Sequence, residues 1–222
     1  MGFKLREGIS FCEASDRLLF LDVVADRYFC LQPRAEQAFR TLLLDQALDP
    51  SHPAGLLGML EAGTLLETAG QGVPHAFRLH PQASLSLLDT AGTRTRTTHL
   101  ASALAAILKA RFSLRWCRLH NILRGVDLGH ISWPRTGTVD LDALQDAATA
   151  FEGTSRILRS HDQCLSRSIA LARYLSSHGL PADLVIGVKL RPFAAHAWVQ
   201  SGRWLVNDRI DTVRAFTPIV AF

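Results

Sequence analysis

Cysteine is scarce in this chain, and its four copies, Cys12, Cys30, Cys117 and Cys164, fall without paired spacing. That usage excludes a disulfide scaffold and fits thiols kept reduced in a cytoplasm. Cys117 and His120 stand at a metal-like separation, but no second pair of ligands accompanies them, so no structural metal is expected. Apolar runs long enough for a bilayer are lacking: the most apolar stretch, His99 to Cys117, is broken by Lys109, Arg111 and Arg115. No apolar core follows Lys4 and Arg6, so no signal peptide is expected at the start. Glycine-rich phosphate loops and internal repeats are also missing. The net charge of +4 is mild, and the arginines are scattered rather than interleaved with aromatics. Nucleic acid and membrane are therefore not expected as partners, whereas attraction to an acidic peptide is reasonable.

The chemistry-bearing residues concentrate between His161 and Asp208. Cys164 stands at the head of an amphipathic helix predicted over Leu165 to Ser177 and stopped by Gly179-Leu180-Pro181. A thiol there meets free backbone N–H groups and the positive end of the helix dipole, which favour the thiolate. Asp183 to Arg191 then alternates as a strand, with Leu184, Ile186, Val188 and Leu190 on one face. A second strand, Ala195 to Gln200, sets His196, Trp198 and Gln200 on one face, and Ser201-Gly202-Arg203 supplies a turn before a third strand, Trp204 to Asp208. A three-residue loop pairs Gln200 with Trp204, Trp198 with Val206 and His196 with Asp208; a two-residue turn puts Asn207 opposite His196 instead. A nucleophile, a base and an acid that orients the base are the parts of an acyl-transfer site.

Taken singly, a buried cysteine is ordinarily an inert core residue and a strand histidine merely a hydrogen-bonded side chain. Here the conjunction carries the reading. The order Cys, His, Asp, with about thirty residues between Cys164 and His196, resembles the papain-like and transglutaminase-like superfamily. The runs Asp162 to Ser168, Leu180-Pro181-Ala182, Val185 to Val188, Pro192-Phe193-Ala194-Ala195-His196-Ala197-Trp198-Val199 and Val206-Asn207-Asp208 resemble more closely the B proteins of lasso-peptide biosynthesis. That resemblance implies a papain/transglutaminase-like cysteine peptidase domain with Cys164 as nucleophile, His196 as base and Asp208 as orienting acid. It implies removal of the leader from a ribosomally made precursor before macrolactam cyclisation, with no cofactor and no metal. Gln163 or a backbone amide would support the oxyanion, and Trp198 would shield the ion pair or line the peptide groove. The implied partners are the precursor's leader and a separate ATP-dependent macrolactam cyclase resembling asparagine synthetase. Two other readings stay open: a transglutaminase or acyltransferase on the same fold, and a non-catalytic adaptor that presents the precursor.

At the N-terminal end, Ile9 to Ala14, Arg17 to Val23 and Asp26 to Leu31 read as three short strands with turns at Ser15-Asp16 and Ala25-Asp26. Pro33 opens a helix that buries Ala35, Ala38, Phe39, Leu42 and Leu43; a second helix after Pro53 carries Leu56, Leu57, Met59 and Leu60 to Gly63. Leu65-Leu66 is a candidate wing. Leu18 to Asp22, Asp26 to Leu31 and Ala35 to Phe39 resemble the winged-helix-like recognition element of peptide-modifying enzymes, in which a leader adds as a strand beside the third strand. The resemblance places the leader along Asp26, Arg27, Tyr28, Phe29, Cys30 and Leu31, facing Leu57 and Leu60. Composition shifts to Gly, Pro, Ser and Thr between Ala69 and Thr98. The expected whole is α+β: a recognition module over 1–80 with a three-stranded sheet and helices, a linker over 81–98, and the peptidase domain over 99–222.

Overall fold

The computed structural model describes residues 2–44, 53–68, 72–89, 97–131, 140–155 and 163–222. His161-Asp162, the loop signal Trp133 to Gly137 and the 90–96 part of the linker lie outside them. The fold is α+β, and the chain divides into two compact units, Met1–Arg78 and Leu79–Phe222.

The first unit is built on a meander of β2 (Ile9–Ala14), β3 (Arg17–Asp22) and β4 (Arg27–Cys30). Ser15 and Asp26 supply the positive-φ turn positions between them. α1 (Pro33–Leu43) starts with proline in its first turn and buries Ala38, Phe39 and Leu42. Phe39 meets Phe11 and Phe20 at ring-centroid distances of 5.3 and 5.5 Å, so helix and sheet share one aromatic core. Buried Glu36 ties α1 to β3, accepting from the Arg17 guanidinium at 2.6 Å and from the Leu18 N–H at 3.1 Å. α2 (Pro53–Glu61) follows, and β5 (Leu65–Thr68) is the wing. Its partner, β1 (Gly2–Leu5), is absent from the sequence reading.

The second unit holds a five-stranded sheet in the order β10-β7-β8-β9-β6. Its elements are β6 (Leu85–Ser86), α3 (Thr97–Trp116), α4 (Leu119–Ile131), α5 (Leu141–Ser155), α6 (Cys164–Ser177), β7 (Asp183–Leu190), β8 (Phe193–Ser201), β9 (Trp204–Leu205), α7 (Ile210–Val213) and β10 (Thr217–Ala221). The helix α6 packs on β8, on α3 and on α5. β7 lies between β10 and β8 and is buried from Leu184 through Val188, so both its faces are covered rather than one.

Two expectations change. The described part of the predicted linker, 81–89, belongs to this sheet: β6 runs parallel to β9, Ser84 and Leu85 donate their N–H groups to the Arg203 carbonyl, and Gln200 Nε2 donates to the Pro81 carbonyl. Its polar composition reflects an edge strand, not a free connector. The hairpin turn is Gly202-Arg203, with Gly202 at φ 57°, and Gln200 pairs with Leu205 rather than Trp204. The third strand therefore stops at Leu205 and does not reach Asp208.

Candidate active site

The amphipathic run from Cys164 to Ser177 makes α6, burying Ser166, Ser168, Ile169, Ala170, Leu171, Ala172 and Leu175. Gln163, in front of it, makes no side-chain cap bond, so the positive end of the helix is left to the thiol. Cys164 is half-buried, and its sulfur is hydrogen-bonded to the His196 ring and to the backbone amides of Ala197 and Leu165. His196 Nε2 is paired with Asp208 Oδ2, which leaves Nδ1 for the sulfur. The structure thus brings Cys164, His196 and Asp208 together from a helix, a strand and a loop.

Their proton affinities are coupled. Burial pushes the Cys164 thiol up, but the His196 hydrogen bond, the Ala197 amide, the His196 charge and the Leu165 amide outweigh it and hold the thiol below its ordinary value. Burial also disfavours a charged imidazole; the bonds to Asp208 and Cys164, and their negative charges, reverse this and raise His196 to about 9. Both shifts favour moving the proton from sulfur to the ring, toward a thiolate–imidazolium pair backed by a carboxylate.

Asp208 reaches His196 although the turn is the two-residue alternative and not the three-residue loop. Beyond Leu205 the backbone bends, and Asn207 replaces the ladder: its Oδ1 accepts the Val199 N–H at 2.8 Å while its Nδ2 donates to Ser168 Oγ at 2.9 Å. Ser168 in turn donates to the Ala197 carbonyl at 2.9 Å, so one serine and one asparagine lock α6 to β8. The Asp208 carbonyl accepts from Ser86 Oγ at 2.7 Å, and Asp208 Oδ1 accepts the Arg209 N–H at 2.7 Å. Ser86 and Ser168 were not singled out by sequence, and Asn207 was named only as the residue that a two-residue turn would put opposite His196. Ser168 lies one helical turn beyond Cys164 and Asn207 adjoins Asp208, which are signals of a kind; Ser86 carries none.

Trp198 does not line a groove. It is fully buried, its ring centroid 6.2 Å from that of His196, with Nε1 donating to Gln200 Oε1 at 3.3 Å. Gly187, across from His196, makes room for it: a Cβ there would lie 2.6 Å from the indole. Phe216 supports the His196 ring at 5.1 Å, and Lys189 Nζ lies 5.3 Å above that phenyl ring; no spacing in the sequence marks Phe216. Gln163 is buried, with Oε1 lacking a hydrogen-bond partner, and its main-chain carbonyl accepts from Ser166 Oγ.

The first unit carries a separate feature. β4 is the edge of its sheet, and a groove of about 750 Å³ runs beside it. Arg27, Phe29, Cys30 and Leu31 line it from the strand side. The opposite wall is Ala35 and Ala38 of α1 with Gly58, Met59 and Ala62, not the predicted Leu57 and Leu60. Leu57 is exposed and Leu60 packs against the aromatic core. Asp26 forms the turn before β4, and Tyr28, paired with Leu21, is not among the groove residues.

A helix that presents a thiol to a strand histidine paired with a loop carboxylate has the geometry that thiol-dependent acyl transfer requires. The pattern of the transglutaminase-like superfamily matches residues 104–221, just over half of the 222 residues, and the chain belongs to that superfamily. It is also 49% identical over 45 residues to the microcin J25-processing protein McjB of Escherichia coli. That span is 20% of this chain and 22% of the relative, so the match covers about a fifth of the relative's length. No solved structure matches. Among the described residues no cluster of three His, Cys, Asp or Glu side chains could hold a metal ion, and no helix is long and apolar enough to cross a membrane.

Proposed function

We propose that this chain is a leader peptidase of lasso-peptide biosynthesis. The observation that carries the reading is the coupled Cys164–His196–Asp208 arrangement, in which the thiol is lowered and the imidazole raised. The likeness to a microcin-processing protein supports the substrate class.

In this reading the Cys164 thiolate attacks the carbonyl carbon at the leader–core junction. The oxyanion is met by the Cys164 backbone N–H and by the buried Gln163 carboxamide. As the intermediate collapses, the C–N bond breaks and His196 gives its proton to the departing amine of the core peptide. Water then attacks the thioester, His196 takes a proton from it, the C–S bond breaks, and the leader leaves with a new carboxylate. Asp208 holds the ring tautomer and balances the imidazolium throughout. The freed amine is the group that an ATP-dependent, asparagine-synthetase-like macrolactam cyclase would join to a carboxyl side chain.

The groove beside β4 is the leader's place in this scheme. An extended peptide adds to the edge of β4 by main-chain hydrogen bonds and sends side chains toward Phe29, Ala38 and Met59. Fusing recognition to the peptidase raises the effective concentration of the scissile bond, so the active site needs little grip of its own.

The test takes a precursor peptide encoded beside this chain and follows it by mass spectrometry. Cys164→Ala is expected to abolish cleavage while leader binding persists. Persistent cleavage sinks the peptidase reading. Product carrying an added amine in place of water assigns the chain to the transglutaminase chemistry of its superfamily, and leader binding without turnover in the unaltered chain assigns it the adaptor role.

A further inference from the structure

α3 packs against α4, α5 and α6 and buries Ala103, Ile107 and Ala110, yet the opposite side of the same helix is also apolar. At 100° per residue, Ala101, Ala105, Leu108, Phe112 and Trp116 fall on one stripe. All five are exposed, the three large ones at 50, 67 and 71%. Phe112 and Trp116 touch, with ring centroids 6.1 Å apart. Scattered surface apolar residues need no explanation, but a continuous helical stripe of leucine, phenylalanine and tryptophan does.

The charges on α3 itself have one sign. Lys109 borders the stripe on one side and Arg115 on the other, with Arg111 beyond, and no Asp or Glu occurs between His99 and Val126. A cleft of about 540 Å³ opens beside Lys109 between α3, α4 and α6; among the described residues its charged lining is Lys109 and Arg173, whose guanidinium also donates to the Ile122 carbonyl at 3.1 Å. Gly125, Tyr174, Ser176 and Ser177 complete its polar and small walls.

We infer that α3 lies against an anionic phospholipid surface, with Leu108, Phe112 and Trp116 in the headgroup–acyl boundary and a lipid phosphate in the Lys109–Arg173 cleft. This goes beyond the peptidase reading and does not depend on it. A stripe flanked on both sides by cations fits a surface that is negative everywhere; a protein partner would have to set carboxylates in register with each of them. Aromatic side chains with basic borders are the composition of helices that lie in the interface.

The full chain is sedimented with vesicles of phosphatidylcholine alone and of phosphatidylcholine mixed with phosphatidylglycerol in equal amounts. Binding is expected to the mixed vesicles only and to weaken with added salt. Phe112→Glu with Trp116→Glu should lower the partition coefficient at least about tenfold, and Lys109→Ala about fivefold, at unchanged melting temperature. Free inorganic phosphate should compete poorly, because the stripe makes most of the contact. No sedimentation with either vesicle, or equal sedimentation of the double variant, overturns the proposal. A marked loss of melting temperature in Phe112→Glu alone does so too, since the stripe would then be covered by protein.

Discussion

The hydroxyl of Ser86 donates to the backbone carbonyl of Asp208 at 2.7 Å, across 122 positions of sequence. The same oxygen accepts the N–H of Leu88 at 3.1 Å, so the serine is fixed from both sides. Asp208 sits past the end of β9, where the sheet no longer holds it, and this bond takes over. Ser86→Ala is expected to reduce kcat by roughly fivefold, in line with a net hydrogen-bond contribution of about 1 kcal/mol. Its KM should hardly move. Ser86→Thr, which keeps the hydroxyl, should recover most of the loss; equal loss in both would mean that β6 packing and not the hydrogen bond matters.

The proton on His196 sets a pH window. The thiolate–imidazolium form exists above the lowered thiol pKa and below the His196 value of about 9, so turnover should rise through the first and fall through the second. Alkylation of Cys164 by iodoacetamide, followed against pH, gives the first inflection below the usual thiol value. In His196→Ala the largest lowering influence is gone while burial remains, so that inflection must move upward. An unmoved inflection would show that the helix end and backbone amides alone activate the sulfur.

Asn207 joins the helix of the thiol to the strand of the imidazole. Asn207→Ala leaves the Val199 N–H without its acceptor and Ser168 Oγ without its donor, a cost of about 1–3 kcal/mol. Stability is expected to fall by that amount in urea unfolding, and the iodoacetamide inflection should drift upward as the distance between sulfur and ring loosens. Asn207→Asp keeps the acceptor for Val199 but loses the donor to Ser168, so it should be intermediate.

Much of this site was legible because it is local. Cys164 at a helix start, His196, Trp198 and Gln200 sharing a face, and the strand pair Asp183–Leu190 and Phe193–Ser201 follow from spacing and alternation. The approach of Asp208 to His196 was anticipated for the wrong reason: Gly202 makes a two-residue turn, and a side chain, Asn207, carries the chain on where pairing stops. Contacts such as Ser86–Asp208 and Phe216–His196 are tertiary, with neither period nor motif to announce them. In the first unit the helix phase misled because α2 is apolar on several sides, so its leucines do not mark the groove.

Gly187 tests the packing beneath the imidazole. An added Cβ would stand 2.6 Å from the Trp198 ring and 3.1 Å from Phe216 Cβ, and the indole is fully buried with no room to swing. Gly187→Ala is expected to cost about 1–3 kcal/mol by overpacking. For a chain of this size that lowers the melting temperature by several degrees, about 2–4 °C per kcal/mol. Because Trp198 and Phe216 both touch the His196 ring, kcat should fall with it. A fully stable Gly187→Ala would mean that the strand shifts freely here.

The groove beside β4 allows recognition to be separated from chemistry with one substitution. Gly58 lies in α2 on the groove wall, and a Cβ built on it meets nothing within 4 Å. Gly58→Trp therefore adds a large side chain into open space, and replacing a glycine inside a helix favours folding by a few tenths of a kcal/mol. Stability should hold or rise while the groove fills. If the leader lies along β4, the KM for full precursor should increase at least about tenfold and binding of an isolated leader peptide should weaken equally, a loss of about 1.4 kcal/mol. Cleavage of a leader-truncated substrate, already slow, should be unchanged, because Cys164, His196 and Asp208 lie in the other unit. A variant that binds leader as well as the parent would move recognition away from this groove while leaving the thiol chemistry of the second unit intact.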